Sequence, residues 1–260
     1  MEMRSIDGIA FKAGAWPLVP ERPTVVFVHG SGGSHVLWGP QVQMLAGDMN
    51  TVALDLPGHG ASAGPACDRV ADYAAIVARF IARLGARRNV ACGLSLGGAI
   101  VLQMLLDYPD KLAGAVLAGT GARLRVLPAI FEAIAADYPG FVALQGQIGA
   151  SPATDPRKLA PIQGATADCP PAVTAGDFRA CDRFDVMARL GEIDRPVLVI
   201  CGADDKLTPP KYSDYLVQQI RGARGVRIPR AGHLAPLEQP ADVVNAIRAF
   251  VAEAIPASGP

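Results

Sequence analysis

The stretch Asn89-Val90-Ala91-Cys92-Gly93-Leu94-Ser95-Leu96-Gly97-Gly98-Ala99-Ile100-Val101 decides how this chain is read. Its first four residues form a short apolar strand pattern, while Leu96, Ile100, Val101 and Leu105 follow helical spacing. Between the two stands Gly-x-Ser-x-Gly. By composition, a chain of 260 residues carries that pentapeptide by accident about one time in ten, so its setting has to carry the argument. A serine between strand and helix sits on a sharp, strained bend with its hydroxyl raised above the strand ends. Glycines two residues to either side are then required, because side chains there would collide. The bend also aims a helix N-terminus at the reacting centre. The bland alternative is an N-cap serine after a plain glycine turn.

Outward from this turn the same grammar repeats. Thr24-Val25-Val26-Phe27-Val28 is a buried-strand run closed by His29-Gly30-Ser31-Gly32-Gly33. Thr51-Val52-Ala53-Leu54-Asp55 is closed by Leu56-Pro57-Gly58-His59-Gly60. Leu112 to Ala118, Pro196 to Ile200 and Val226-Arg227-Ile228 supply three more strands, and Arg4 to Trp16 suggests an antiparallel edge hairpin. The central runs are apolar throughout rather than alternating, as parallel strands covered on both faces require. Helical spacing separates them, in Tyr73, Ile76, Val77, Phe80, Ile81 and Leu84, and again in Val243, Val244, Ile247, Phe250 and Val251. Strand–helix alternation of this kind predicts an α/β fold with a mainly parallel sheet. Some 75 residues between Gly119 and Pro196 break the rhythm. A structureless loop of that length is foreign to a compact domain, so residues 122–188 are read as an inserted, mostly helical cap.

The bulk composition is neutral on partners. Lys+Arg and Asp+Glu both number 24, which gives no reason to expect nucleic acid or an acidic membrane. The five cysteines are odd in number and irregularly spaced, fitting neither a disulfide framework nor a CxxC zinc site; they are read as reduced. Met1 to Ser5 lacks the apolar core of a signal peptide, and no apolar run approaches the ~18 residues of a spanning helix. A soluble, cytoplasmic protein is expected. Nothing in the sequence sets its oligomeric state.

A serine hydroxyl needs a base beside it. Of the four histidines, His233 lies beyond a strand end in Ala231-Gly232-His233-Leu234, just before the C-terminal helix. His29 and His59 sit in glycine-rich turns and read as hydrogen-bonding turn residues, and His35 is expected on the surface. The base in turn needs a carboxylate. Gly202-Ala203-Asp204-Asp205 follows the strand ending at Ile200, and either aspartate satisfies the requirement. The order along the chain is then Ser, Asp, His.

With these parts assembled, the chain resembles the α/β-hydrolase superfamily from His29 to the helix after Pro240. The resemblance implies an eight-stranded-type, mainly parallel sheet with helices on both faces and a helical cap after the sixth strand. Its core would comprise residues 1–121 and 189–260. It implies a triad of Ser95, Asp205 and His233; in that family the acid stands three residues beyond the turn glycine, which favours Asp205 over Asp204. It implies an oxyanion hole made by the backbone N–H groups of Ser31 and Leu96, with Gly30 beside the substrate. The chemistry would be acyl transfer through an acyl-enzyme, with no metal and no organic cofactor.

The substrate is less legible. The expected partner is a small-to-medium carboxylic ester or a lactone, with Leu127 and Phe131 of the apolar cap among its contacts. The Gly-Leu-Ser-Leu-Gly-Gly form is similar to that of enol-lactonases, whose acidic substrate would want a cation, and Arg123 and Arg125 stand ready for that role. Meta-cleavage C–C hydrolases and cofactor-free haloperoxidases or perhydrolases use the same triad. A dehalogenase of this fold would carry aspartate in place of Ser95, and a non-catalytic receptor would normally lack part of the triad.

Overall fold

The computed structural model describes residues 1–255. Eight strands form one sheet: β1 (Met3–Ile6), β2 (Ile9–Ala13), β3 (Thr24–Val28), β4 (Asn50–Leu54), β5 (Asn89–Leu94), β6 (Gly114–Ala118), β7 (Val197–Gly202) and β8 (Arg224–Ile228). Their spatial order is β1-β2-β4-β3-β5-β6-β7-β8. The first two strands form the expected antiparallel hairpin, and β2 pairs antiparallel with β4. All other neighbours run parallel.

The sequence explains why the centre of this sheet is deep. In β3, Val26 and Val28 enter the core on one face while Val25 and Phe27 enter the core on the other. A strand covered twice must be apolar at every position. At the edge, β8 reads Arg-Gly-Val-Arg-Ile, and only Ile228 is buried.

The helices are α1 (Gly39–Leu45), α2 (Val70–Leu84), α3 (Leu96–Asp107), α4 (Pro128–Ala136), α5 (Tyr138–Gly149), α6 (Ala160–Asp168), α7 (Pro171–Arg183), α8 (Pro210–Gln219), α9 (Ala235–Glu238) and α10 (Pro240–Ala254). One face of the sheet is covered by α2, α3 and α8, the other by α1 and α10. In α2 the buried stripe is Tyr73, Val77, Phe80, Ile81 and Leu84, the helical spacing read from the sequence. Helices α1 and α8 had no clear signature there.

Between β6 and β7 the chain makes the four helices α4–α7. The ends of this insert lie side by side: Val186 N–H donates to Ala122 O at 2.8 Å, and Arg123 bridges Asp185. Among the described residues no helix is long and apolar enough to cross a membrane. All five cysteines are unpaired, and four of them are buried.

Candidate active site

Ser95 stands where β5 gives way to α3, at φ 56° and ψ −118°, a region that L side chains avoid. It is held from both sides. Its N–H donates to Ala118 O at 3.0 Å; its carbonyl accepts from Ala99 N at 3.0 Å and from Thr120 Oγ1 at 2.9 Å. The flanking glycines are needed for contact as well as conformation. A Cβ on Gly93 would run into the Gly97 carbonyl, and one on Gly97 into the Val28 carbonyl of β3. Strain of this kind costs about 1–3 kcal/mol and persists only where the surroundings over-determine it; here two buried parallel strands do so.

On one side of Ser95 lie the turns after β7 and β8. His233 Nδ1 is 2.9 Å from Asp205 Oδ2, with both side chains buried. Thr208 donates its hydroxyl to the same oxygen at 2.8 Å, and the N–H groups of Leu207 and Thr208 reach Oδ1 at 2.9 Å each. Burial alone would raise the Asp205 pKa, but the His233 charge and these hydrogen bonds outweigh it and lower it below the ordinary carboxylate value. Asp205 is therefore a carboxylate facing the imidazole. Asp204 points elsewhere and accepts the Ser151 hydroxyl from the insert. That resolves which of the two aspartates meets His233.

On the other side is the turn after β3. Gly33 N–H closes it by donating to Gly30 O at 3.1 Å, and Gly32 takes φ +62°. Among the described residues no acceptor is bonded to the N–H of Ser31 or to that of Leu96, the first residue of α3. Two unspent donors thus flank the Ser95 turn.

Ser95, Ser31, Gly30 and His233 all open onto one cavity of about 440 Å³, roofed by α4–α7. Phe141, Val142 and Phe178 make its apolar wall, and Arg125 and Lys206 are its cations. Residues 25–247 match the profile of the alpha/beta hydrolase family. The chain belongs to that family. Among its curated relatives, a pimeloyl-[acyl-carrier protein] methyl ester esterase of Neisseria meningitidis serogroup B is 30% identical over 87% of this chain and 92% of its own length. A thermophilic esterase of solved structure superposes with a TM-score of 0.83 at 30% identity, covering 97% of each chain. The enol-lactonase of Burkholderia xenovorans LB400 gives a TM-score of 0.86 at 23% identity, covering 97% of this chain and all 100% of that one. That last likeness is one of fold alone.

Within this alpha/beta hydrolase, Leu127 and Gly30 line the cavity, but two other residues read as substrate contacts do not. Arg123 lies outside and faces Asp185 at 3.8 Å, because it stands where the ends of the insert meet. Phe131 also falls outside the cavity wall. Val126, Ala129, Ile130 and Ala133 form the cavity-facing stripe of that segment at helical spacing, and one residue beyond Ile130 turns the side chain ~100° away. His35 is not a surface residue either: its side chain is 13% exposed and its Nδ1 lies 2.9 Å from Asp55. His29 and His59 are hydrogen-bonding turn residues, as read.

Three side chains around the site went unnoticed in the sequence. Thr208 stands three residues after Asp205, a spacing at which a hydroxyl reaches back to a carboxylate. Glu238 is buried; its carboxylate accepts the N–H groups of Gly232 (2.9 Å to Oε1) and Ser151 (2.8 Å to Oε2). Asp177 is buried on α7. Its signal was an acid on the same helical stripe as Thr174 and Cys181, where an amphipathic helix carries apolar residues.

Proposed function

We propose that this chain is a carboxylic ester hydrolase in which Ser95 is the nucleophile, His233 the general base and Asp205 its orienting acid. The carrying observation is the pairing of a left-handed, doubly restrained Ser95 with a buried His233–Asp205 couple on the same cavity. His233 takes the Ser95 proton as Oγ attacks the carbonyl carbon. The oxyanion forms against the N–H groups of Ser31 and Leu96, at the positive end of α3. The alkoxide leaves with the proton from His233, and water repeats the sequence on the acyl-enzyme. Losing one such N–H donor typically costs about 3 kcal/mol of barrier. Residues 122–188 act as the cap, and the protein works in the cytoplasm without a cofactor.

The cavity of about 440 Å³ lies in the lower part of the roughly 300–1,000 Å³ range of small-molecule sites. With Phe141, Val142 and Phe178 as its wall, it suits a small-to-medium acyl group. A lactone with an acidic substituent is the second reading, favoured by Lys206 and Arg125 on the cavity wall. The test is labelling by a fluorophosphonate probe together with turnover of p-nitrophenyl esters of graded chain length and of lactones. Wild type should label and Ser95→Ala should not. Equal labelling of both, or none of wild type, ends the serine-hydrolase reading.

A further inference from the structure

Between the insert and the core, behind the turn after β3, lies a buried ionic group that the ester mechanism does not use. Asp177 on α7 is fully buried. Its Oδ2 accepts the Gly32 N–H at 2.8 Å and lies 2.8 Å from His59 Nε2, while its Oδ1 accepts the Tyr73 hydroxyl at 2.7 Å. The other His59 nitrogen, Nδ1, is 3.0 Å from Pro57 O. These two nitrogens face a carboxylate and a carbonyl, with the Cys169 side chain alongside; both acceptors call for an N–H, which makes the ring an imidazolium. Burial opposes that charge, but the hydrogen bonds with Asp177 and Cys169 and the Asp177 charge together overcome it and raise the His59 pKa to about 10.

The Gly32 bond ties this group to catalysis. Gly32 directly follows Ser31, whose N–H is unspent, and the turn has two further restraints. His29 Nδ1 donates to Gly30 O at 2.8 Å; its tautomer is set by Leu56 N–H, which donates to Nε2 at 3.0 Å. Gly33 N–H donates to the same Gly30 carbonyl. From the insert, Thr174 also packs so closely on Gly32 that a Cβ there would meet its Oγ1 at 2.9 Å.

If α7 needed only to adhere to the core, apolar side chains would serve as well, since a buried ion pair rarely outdoes a hydrophobic replacement. What an apolar contact cannot do is orient an N–H. A hydrogen bond fixes direction, and an oxyanion donor misplaced by about 1 Å costs on the order of 10²-fold in rate. We propose that Asp177 is a positioning residue: by accepting the Gly32 N–H it fixes the turn that aims the Ser31 N–H at the transition-state oxyanion. The cap thereby sets the electrostatics of the reacting carbonyl without touching it.

The inference rests on the esterase reading, and the experiment separates the two. Asp177→Leu, which has no acceptor for the Gly32 N–H, is titrated with fluorophosphonate to count competent sites and compared with wild type on p-nitrophenyl butyrate. Affinity for an alkyl boronic acid, which forms a tetrahedral adduct with the serine, is measured in parallel. The expected result is kcat per site down about 10–100-fold, KM within about threefold, and boronate affinity falling with kcat. Arg183→Ala, on the same helix but in an exposed pair with Asp68, should leave all three within about twofold. Should Asp177→Leu fail to accumulate as folded protein, Tyr73→Phe, which frees the carboxylate that holds Gly32, decides, with an expected three- to tenfold loss of kcat, roughly a net hydrogen bond's worth. A variant that melts earlier but keeps its kcat per site overturns the positioning role. Wild type that neither labels nor hydrolyses overturns the esterase reading beneath it.

Discussion

The two walls that flank Ser95 are built on different plans. The His233 wall is local: Asp205 takes its bonds from Leu207 and Thr208, two and three residues away, and meets His233 on the next strand's turn. The Ser31 wall is long-range: the turn after β3 is secured by Leu56 through His29 and by Asp177, 145 residues from Gly32. The difference teaches where catalytic geometry resides. Adjacent strand ends bring the Asp205–His233 pair together by themselves; the turn after β3 takes a side-chain bond directly from the insert.

The largest expected effect tests the local wall. Asp205→Asn removes the acceptor that holds the His233 Nδ1–H and favours the wrong tautomer, so kcat on p-nitrophenyl butyrate should fall by about 10⁴-fold. Asp204→Asn breaks only the bond from Ser151 and should stay within about tenfold of wild type. The opposite ranking in steady-state kinetics would move the acid to Asp204 and undo the reading of this wall as a self-contained turn.

A smaller effect blurs the contrast deliberately. Glu238 ties the histidine loop to the insert through Gly232 and Ser151, and His233 N–H itself donates to Gly149 O at 2.6 Å. In Glu238→Gln an amide NH₂ replaces an oxygen that faces N–H groups, which should cost about 1–3 kcal/mol. Thermal melts should record that as a loss of about 2–4 °C per kcal/mol for a chain of this size. Turnover should fall far less than in Asp205→Asn. A drop as large as that of Asp205→Asn would mean that the histidine wall also depends on the insert.

The same contrast explains what the sequence made legible. Ser95 and Asp205 each sit on a turn beyond an apolar strand and His233 on the glycine turn beyond edge strand β8, so strand grammar and glycine spacing pointed to them together. The sheet was readable for the same reason, down to the edge hairpin; β8 was only half-read because an edge strand such as Arg224–Ile228 lacks the apolar run. Asp177 and Glu238 were invisible because their partners lie far along the chain, and a lone acid on a helix ordinarily means solvent. Phe131 and Arg123 misled for a related reason. Composition says that an insert is apolar or basic, but only helix phase and the meeting of its two ends decide which side chain faces the cavity.

The smallest effect is a pH dependence of stability peculiar to the long-range wall. His29 and His59 pack with ring centroids 4.9 Å apart and their planes tilted by 57°, yet their pKa values shift in opposite directions. Burial first, and the neighbouring His59 charge second, lower the His29 pKa from 6.5 to about 4. Between those values the unfolded chain binds the extra proton, so this contribution is present above pH 6.5 and is lost as pH falls towards 4. His59, raised from 6.5 to about 10, binds its proton in the folded state. Its contribution is full below pH 6.5 and is lost as pH rises through about 10. The pair therefore predicts a stability maximum near pH 6.5 with one limb on each side. Urea unfolding across that range should find the alkaline limb reduced in His59→Gln and the acid limb retained in direction. Asp205 of the local wall adds nothing to the alkaline limb, since its shift is downward and acts only in acid. Above pH 9 the buried thiols Cys67, Cys92, Cys181 and Cys201, all raised by burial, add to that limb, so the decisive window is pH 6.5 to 9. A fall within that window that survives His59→Gln would belong to another group, and would take the buried charge out of the account of how the Ser31 turn is held.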